Sequence, residues 1–88
     1  MSESTWTVRY APKARRDLKR LDPQIARRVL TAIERLLDQD PSLDVRRLTG
    51  TDEERIRVGD WRVRFGRDTA AREIVILRVL PRGRAYGR

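Results

Sequence analysis

The chain has 88 residues, of which 21 are Lys or Arg and 13 are Asp or Glu, and its formal net charge is +8 at pH 7. A chain of this length forms one small domain with a modest core, so we expect a single domain over residues 1–88. Cys and His are both absent, which excludes disulfides and thiolate zinc sites and removes the commonest metal ligand and general base. The sequence therefore predicts no cofactor and no metal.

The positive charge predicts a polyanionic partner. Nucleic acid fits this charge, and an acidic protein fits it equally well. An anionic membrane fits less well, because no sustained apolar face accompanies the charge. Residues 1–10 lack the regions of a signal peptide, and no apolar stretch approaches the roughly 20 residues of a membrane span. We therefore expect a cytoplasmic protein that does not contact a membrane.

The first half of the chain predicts one strand followed by two helices. Thr5–Tyr10 alternates and is rich in β-branched and aromatic residues, which favours a strand. Apolar residues recur at helical spacing through Pro12–Arg20, and a proline suits the first helical position. Asp22 as N-cap and Pro23 as first residue then begin a second helix, which we expect to end at about Gln39.

The second half predicts an irregular connection and three strands. Residues 38–50 have no clear period, so we expect a loop there. Residues 55–58 and 61–67 alternate with period two and are joined by Gly59-Asp60, which suits a tight hairpin. Residues 73–80 are apolar on both faces, as in an interior strand. The predicted class is α+β: an N-terminal strand, a helical hairpin and a three- to four-stranded, mainly antiparallel sheet, in the order β-α-α-β-β-β.

The predicted hairpin carries an arginine at every second position. Side chains of a strand alternate between its two faces, so one face holds apolar residues and the other holds Arg55, Arg57, Arg62 and Arg64. Neighbouring strands lie about 4.8 Å apart, and these guanidinium groups repel one another unless an anion bridges them. One interpretation is a solvated face neutralised by nearby carboxylates. The other is a surface that binds phosphate.

The C-terminal segment adds a second basic cluster directly after the last strand. It contains Arg82, Arg84 and Tyr86. A tyrosine among arginines suits base stacking and proton transfer on RNA. Tyr86 could equally well pack the terminus onto the domain, as half-buried tyrosines often do.

Taken in order, these elements resemble the RelE/ParE superfamily of bacterial type II toxin–antitoxin toxins. The likeness runs from Val8 to Tyr86 and includes the helical hairpin, the LTG before the strands, RVGDWRVRF and VILRVLPRGRAY. Its most specific parts are GDWRVRF, similar to the family pattern G-x-Y/W-R-hydrophobic-x-Y/F, and the R-x-x-x-Y that begins at Arg82. In the best-known members the residues that match Arg55 and Arg57 are lysines.

The resemblance implies a ribosome-dependent mRNA endonuclease that acts without metal. Such a toxin enters the ribosomal A site and cuts the mRNA there by attack of a ribose 2′-OH on the adjacent phosphate. It also implies a separate, small acidic antitoxin as protein partner. Carried over by position, the catalytic residues are Arg62, Arg82 and Tyr86, and Arg55 and Arg57 bind RNA phosphates. We expect Arg64, on the same face of the hairpin, and Arg84, after the last strand, to bind RNA phosphates as well.

The chemistry of RNA cleavage is compatible with these residue types. The reaction needs a proton acceptor for the 2′-OH, donors to the non-bridging oxygens and a proton for the leaving 5′-oxygen. Nearby guanidinium groups favour the phenolate of Tyr86, which can then act as the base or stack on a nucleobase. Arginine is a poor proton donor, so Arg82 is expected to stabilise the transition state.

Two other functions stay open at this point. A ParE-like toxin inhibits DNA gyrase by protein contact and has no nuclease site. A non-catalytic nucleic-acid-binding module would bind with a steep salt dependence and would not arrest growth. Cut mRNA after induction distinguishes the nuclease from the first alternative, and growth arrest distinguishes it from the second.

Overall fold

The computed structural model of the protein describes residues 5–82. Its elements are β1 (Thr7–Tyr10), α1 (Pro12–Lys19), α2 (Pro23–Leu37), β2 (Val45–Arg47), β3 (Glu54–Val58), β4 (Trp61–Asp68) and β5 (Glu73–Pro81). All five strands form one sheet in the order β1-β5-β4-β3-β2. Only β1 and β5 run parallel. The predicted α+β class, with its mainly antiparallel sheet, is confirmed.

The sheet contains one strand that the sequence did not predict. β2 lies within residues 38–50, where we expected only a loop, and it pairs with Glu54–Ile56 of β3. This strand has three residues, two of them exposed arginines, so it carries no alternating apolar signal. Pairing with β3 fixes its conformation. Within residues 5–82 the sheet therefore has five strands, where three or four were predicted.

Both helices begin at a proline, as predicted. Pro12 is the first residue of α1, and α2 begins at Pro23 with the Asp22 carboxylate accepting a hydrogen bond from the Gln24 N–H at 2.9 Å. α2 ends at Leu37, two residues before the predicted end. Gln39 has φ of 56°, a left-handed conformation that an α-helix cannot continue, and this explains the earlier end.

The predicted hairpin is also present. Val58 of β3 pairs with Trp61 of β4, and Gly59 and Asp60 form the two-residue turn between them. Gly59 has φ of 59°, a value that favours glycine at this turn position. The turn fixes the register of the two strands and therefore decides which side chains face each other across them.

The hydrophobic core lies between the helices and one face of the sheet. Its sheet side includes Ile56, Val63 and Phe65, each fully buried, and α2 contributes residues such as Val29 and Ile33. These three sheet residues alternate with the arginines, so the predicted division of the hairpin into an apolar and a basic face is confirmed. The basic face points away from the core.

Asp17 joins α1 to the sheet. β1 pairs with β5 only as far as Ile76, and beyond that residue the Asp17 carboxylate accepts hydrogen bonds from the Val79 N–H at 2.9 Å and the Arg78 Nε at 2.8 Å. Burial raises the pKa of Asp17, but these hydrogen bonds outweigh it and hold the pKa below its usual value. The ionised carboxylate therefore stabilises the folded protein.

We expect Asp17→Ala to lower the free energy of unfolding by about 2 kcal/mol at pH 7, because a backbone donor and a guanidinium group lose a charged acceptor. The pKa of Asp17 is lower in the folded protein than in the unfolded chain, so its contribution is present above about pH 4 and is lost as the pH falls through the folded-state value. Urea unfolding between pH 2 and pH 7 measures both effects.

The matched control is Asp52→Ala. Asp52 is exposed, and its carboxylate has no hydrogen bond within residues 5–82. We expect its loss to change the unfolding free energy by less than about 0.5 kcal/mol. Equal effects of the two substitutions, or an Asp17→Ala effect that does not shrink in acid, would contradict the assignment.

Candidate functional site

The basic face of the sheet carries its arginines in two rows. The strand register aligns four arginines in one row across β2, β3, β4 and β5. It aligns two more arginines in a second row across β3 and β4. The longer row consists of Arg46, Arg55, Arg64 and Arg78, and the shorter row consists of Arg57 and Arg62. Residues directly opposite one another in neighbouring strands share a face, so the charges within each row are close neighbours.

Carboxylates neutralise the longer row. The Arg64 Nε donates to Glu53 Oε1 at 2.9 Å, and Arg78 is bound by Asp17 as described above. Asp44 lies 3.4 Å from Arg46 and 3.8 Å from Arg55. Each arginine of this row therefore has a carboxylate within salt-bridge distance.

The shorter row has no such counter-charge. Within residues 5–82, neither Arg57 nor Arg62 forms an ion pair with a carboxylate. Arg62 is only 6% exposed, and its Nη1 donates to the backbone oxygens of Gly59 at 3.4 Å and Trp61 at 3.2 Å. Its Nε is buried and has no hydrogen-bond partner in the same part of the chain. A buried cation without a counter-charge is costly, so this row is where the basic face lacks an anion.

The predicted catalytic residue Arg82 lies at the same end of the sheet. Its backbone N–H donates to the carbonyl oxygen of Asp60 at 2.8 Å, which fixes Arg82 beside the β3–β4 turn. The turn is the end of the hairpin nearest to the row of Arg57 and Arg62. The structure therefore brings three of the predicted arginines to one end of the basic face.

The other predicted site residues are distributed differently. Arg55 and Arg64 lie in the longer row, one step further from the turn, and both are close to carboxylates. Arg84 and Tyr86 lie outside the described residues. The roles assigned to all seven residues stay predictions.

A groove that the sequence did not reveal borders the basic face. We call it the α1 groove; it has a volume of about 560 Å³ and is lined by residues that include Pro12, Lys13, Arg16, Glu53, Arg64 and Leu77. Lys13, Arg16 and Arg20 recur at helical spacing in the sequence, which is a signal for a basic stripe on α1. A smaller cavity of about 180 Å³ contains these three residues and Arg78. The basic surface therefore extends from the sheet onto α1.

A second groove lies between α2 and the end of β3 at the β3–β4 turn. We call it the α2 groove; its volume is about 410 Å³, and its cations are Arg27, Arg28, Arg35 and Arg57. Among residues 5–82 no carboxylate lines this groove, and Arg35 forms an ion pair with Asp40 at 2.8 Å. Its chemistry fits an acidic partner.

The described residues provide no metal site and no membrane span. Within residues 5–82, no three His, Cys, Asp or Glu side chains are grouped so that they could hold a metal ion. Neither helix in that range is long and apolar enough to cross a membrane. The absence of a metal and a cofactor from the reaction stays a prediction.

Comparison with known proteins identifies the family. The sequence model of the family described as "ParE toxin of type II toxin-antitoxin system, parDE" matches residues 8–86. The chain belongs to this toxin family. No curated protein sequence matches it significantly. The expected membership in the RelE/ParE superfamily is confirmed, and the protein is a toxin of a type II toxin–antitoxin system.

Solved structures support the same assignment. A chain of the archaeal RelE-RelB complex from Pyrococcus horikoshii is 32% identical, with a TM-score of 0.76 and coverage of 91% of this chain and 98% of that one. A chain of the RelBE2 complex from Mycobacterium tuberculosis is also 32% identical, with a TM-score of 0.72 and coverage of 88% and 98%. The intact E. coli RelBE complex contains a chain that is 14% identical, with a TM-score of 0.72 and coverage of 91% of this chain and 100% of that one. At this low identity the comparison supports the fold and nothing further. Because these relatives are toxin–antitoxin complexes, a cognate antitoxin is the expected partner of this toxin.

The difference between the two arginine rows predicts opposite effects on stability. In a buffer without phosphate or sulfate, Arg62→Met should raise the free energy of unfolding by about 1 kcal/mol, because it removes a buried charge that has no counter-charge. Arg64→Met should lower it by about 1 kcal/mol, because Glu53 loses its partner. Thermal unfolding of both variants measures this. Equal destabilisation by both substitutions would show that Arg62 is as well neutralised as Arg64.

Proposed function

We propose that this toxin is a metal-independent, ribosome-dependent mRNA endonuclease that blocks translation. The observation that carries the proposal is the row of Arg57 and Arg62, two neighbouring cations that pair with no carboxylate within residues 5–82. An anion between them removes their repulsion and gives the buried guanidinium an acceptor. A phosphodiester supplies that anion, because its two non-bridging oxygens can each accept hydrogen bonds from one guanidinium group.

The proposed reaction is a transfer within the RNA backbone. The 2′-oxygen bonds to the adjacent phosphorus, the bond from phosphorus to the 5′-oxygen breaks, and the products are a 2′,3′-cyclic phosphate and a 5′-hydroxyl. One proton leaves the 2′-hydroxyl and one reaches the 5′-oxygen. Negative charge grows on the non-bridging oxygens in the transition state, and Arg57 and Arg62 stabilise it there. Tyr86 is the proposed base, and Arg82 is a further source of positive charge beside the cut.

A requirement for the ribosome follows from this set of groups. The chain contains no histidine, and the proposed site has neither a strong acid nor a strong base. Such a site gains most when the substrate is already held in a geometry suitable for attack. The ribosomal A site holds mRNA in a defined conformation, so we propose that the toxin acts there, in the cytoplasm.

The cognate antitoxin is the second partner in this proposal. A protein that neutralises a toxin of charge +8 is expected to be acidic. The α2 groove offers it Arg27, Arg28 and Arg57, since Arg35 is already bound to Asp40 at 2.8 Å, and Arg57 also belongs to the proposed RNA site. An acidic side chain in this groove would compete with RNA for Arg57.

The second candidate function is inhibition of DNA gyrase. The match of residues 8–86 to the ParE toxin family favours it. In that case the basic face binds a protein surface and no RNA bond is cut.

Cleavage in cells tests the proposal directly. We expect induction of the wild-type toxin in bacteria to arrest growth and to produce new mRNA 5′ ends within coding regions, mapped by sequencing of 5′-hydroxyl ends. Arg62→Met should reduce cleavage of mRNA on purified, programmed ribosomes about 100-fold or more, because loss of one transition-state donor has effects of this size. Arg15→Met removes the same charge from the exposed side of α1, away from the cavities described above, and should leave cleavage unchanged.

Three results would contradict the nuclease. The ParE-like function would be favoured if mRNA stays intact in cells and the toxin inhibits the supercoiling of DNA by purified gyrase. Binding of RNA without growth arrest would indicate a non-catalytic module. Cleavage that Arg62→Met leaves intact would remove the arginine row from the mechanism.

A further inference from the structure

The α1 groove combines an apolar floor with a basic rim. Ala11, Pro12 and Leu77 supply apolar surface, and Lys13 and Arg16 supply positive charge. Its volume of about 560 Å³ is within the usual range for pockets that bind small ligands. A nucleotide has the complementary construction, since its flat base packs on apolar side chains and its phosphate binds cations.

Glu53 presents one open acceptor on the wall of this groove. The Arg64 Nε, at 2.9 Å, and Nη2, at 2.5 Å, both donate to the same oxygen, Oε1. Oε2 has no hydrogen-bond partner in the described part of the chain, and the Glu53 side chain is 31% exposed. Arg64 therefore fixes the orientation of the carboxylate and leaves one oxygen available to a ligand.

An ionised carboxylate accepts hydrogen bonds and cannot donate them. Adenine, cytosine and guanine each carry an exocyclic amine that donates to such an acceptor. Uracil has none, and its single ring N–H at that edge lies between two carbonyl oxygens. A carboxylate oxygen that accepts from this N–H also comes close to the two carbonyl oxygens and is repelled by them, so a uracil beside Glu53 binds less favourably than a base with an exocyclic amine.

The groove begins close to the proposed site of cleavage. Arg64 is two residues from Arg62 along β4, a separation of about 7 Å in a strand. One nucleotide can span this distance, so a base next to the cut phosphate can enter the groove. We propose that the α1 groove is a nucleobase pocket in which Glu53 selects bases that carry an exocyclic amine and rejects uracil. This pocket rests on the proposed function, because it assumes that the toxin binds RNA.

The charges of the groove favour a nucleotide over the acidic antitoxin. Glu53 lines the groove, and Asp17 lies in the smaller cavity that shares Lys13, Arg16 and Arg78 with it. Glu53 binds Arg64 and Asp17 binds Arg78, so within residues 5–82 Lys13 and Arg16 are the cations of the groove that no carboxylate pairs with, and they suit one phosphate better than a run of acidic side chains. Within residues 5–82 the α2 groove is lined by no carboxylate, and three of its arginines, Arg27, Arg28 and Arg57, form no ion pair there, so it suits the acidic partner better.

Binding of trinucleotides that cannot be cleaved tests the pocket. The probes are 2′-O-methylated tri-adenylate, tri-cytidylate and tri-uridylate, titrated into the full-length toxin and followed by NMR. We expect wild type to bind the adenylate and cytidylate probes about 10-fold more tightly than the uridylate probe. Glu53→Gln should bind all three within about twofold, because an amide can donate to a uracil carbonyl as well as accept.

Glu54→Gln is the matched control. Glu54 is the next residue, and it binds Arg67 by two hydrogen bonds of 2.9 and 3.1 Å, but it lies on the opposite face of the strand. We expect this variant to keep the wild-type preference. Lys13→Glu, at the rim, should weaken binding of all three probes by a similar factor, because it acts on the phosphates.

The outcomes separate the pocket from the cleavage. Wild type without a preference, Glu53→Gln with the wild-type preference, or no binding of any probe would overturn the pocket. If the preference is present but mRNA stays intact in cells, the pocket stands and the nuclease fails. If mRNA is cut but no preference is found, the nuclease stands and the pocket fails.

Discussion

The proposed function depends on one electrostatic feature, the pair of arginines at positions 57 and 62. The hairpin register makes them direct neighbours across two strands, and no carboxylate within residues 5–82 neutralises them. The adjacent pair, Arg55 and Arg64, has the same geometry but lies close to Asp44 and Glu53. Both pairs lie on the same face of β3 and β4. The lack of a counter-charge at Arg57 and Arg62 is therefore specific to their position on that face.

The rest of the fold keeps this unfavourable arrangement in place. Burial of Ile56, Val63 and Phe65 on the other face fixes which side of the hairpin enters the core, since a register slip of one residue would turn the arginines inward. The turn at Gly59 fixes the pairing, and Asp17 ties α1 beside the sheet. Stability gained in the core and at α1 thus supports a site that is itself destabilising, as is common for functional sites.

Local pattern was sufficient to predict much of this from sequence. Alternation in residues 55–67 predicted both faces of the hairpin, and Pro12 and Pro23 marked the helix starts. Pattern could not predict β2, because its three residues take their conformation from β3. The local pattern also could not distinguish the two arginine rows. Arg78, for example, is neutralised by Asp17, which is 61 residues away in the sequence, so only the tertiary structure decides which charges are neutralised. The α1 groove was missed for the same reason.

In the proposed mechanism an RNA phosphate lies between the guanidinium groups of Arg57 and Arg62. A structure of the toxin on a ribosome programmed with 2′-O-methylated mRNA measures this most directly. We expect non-bridging oxygens of one phosphate within about 3 Å of both guanidinium groups. A bound mRNA whose phosphates contact only the neutralised arginines of the longer row, or a toxin that turns its helical side to the mRNA, would contradict it.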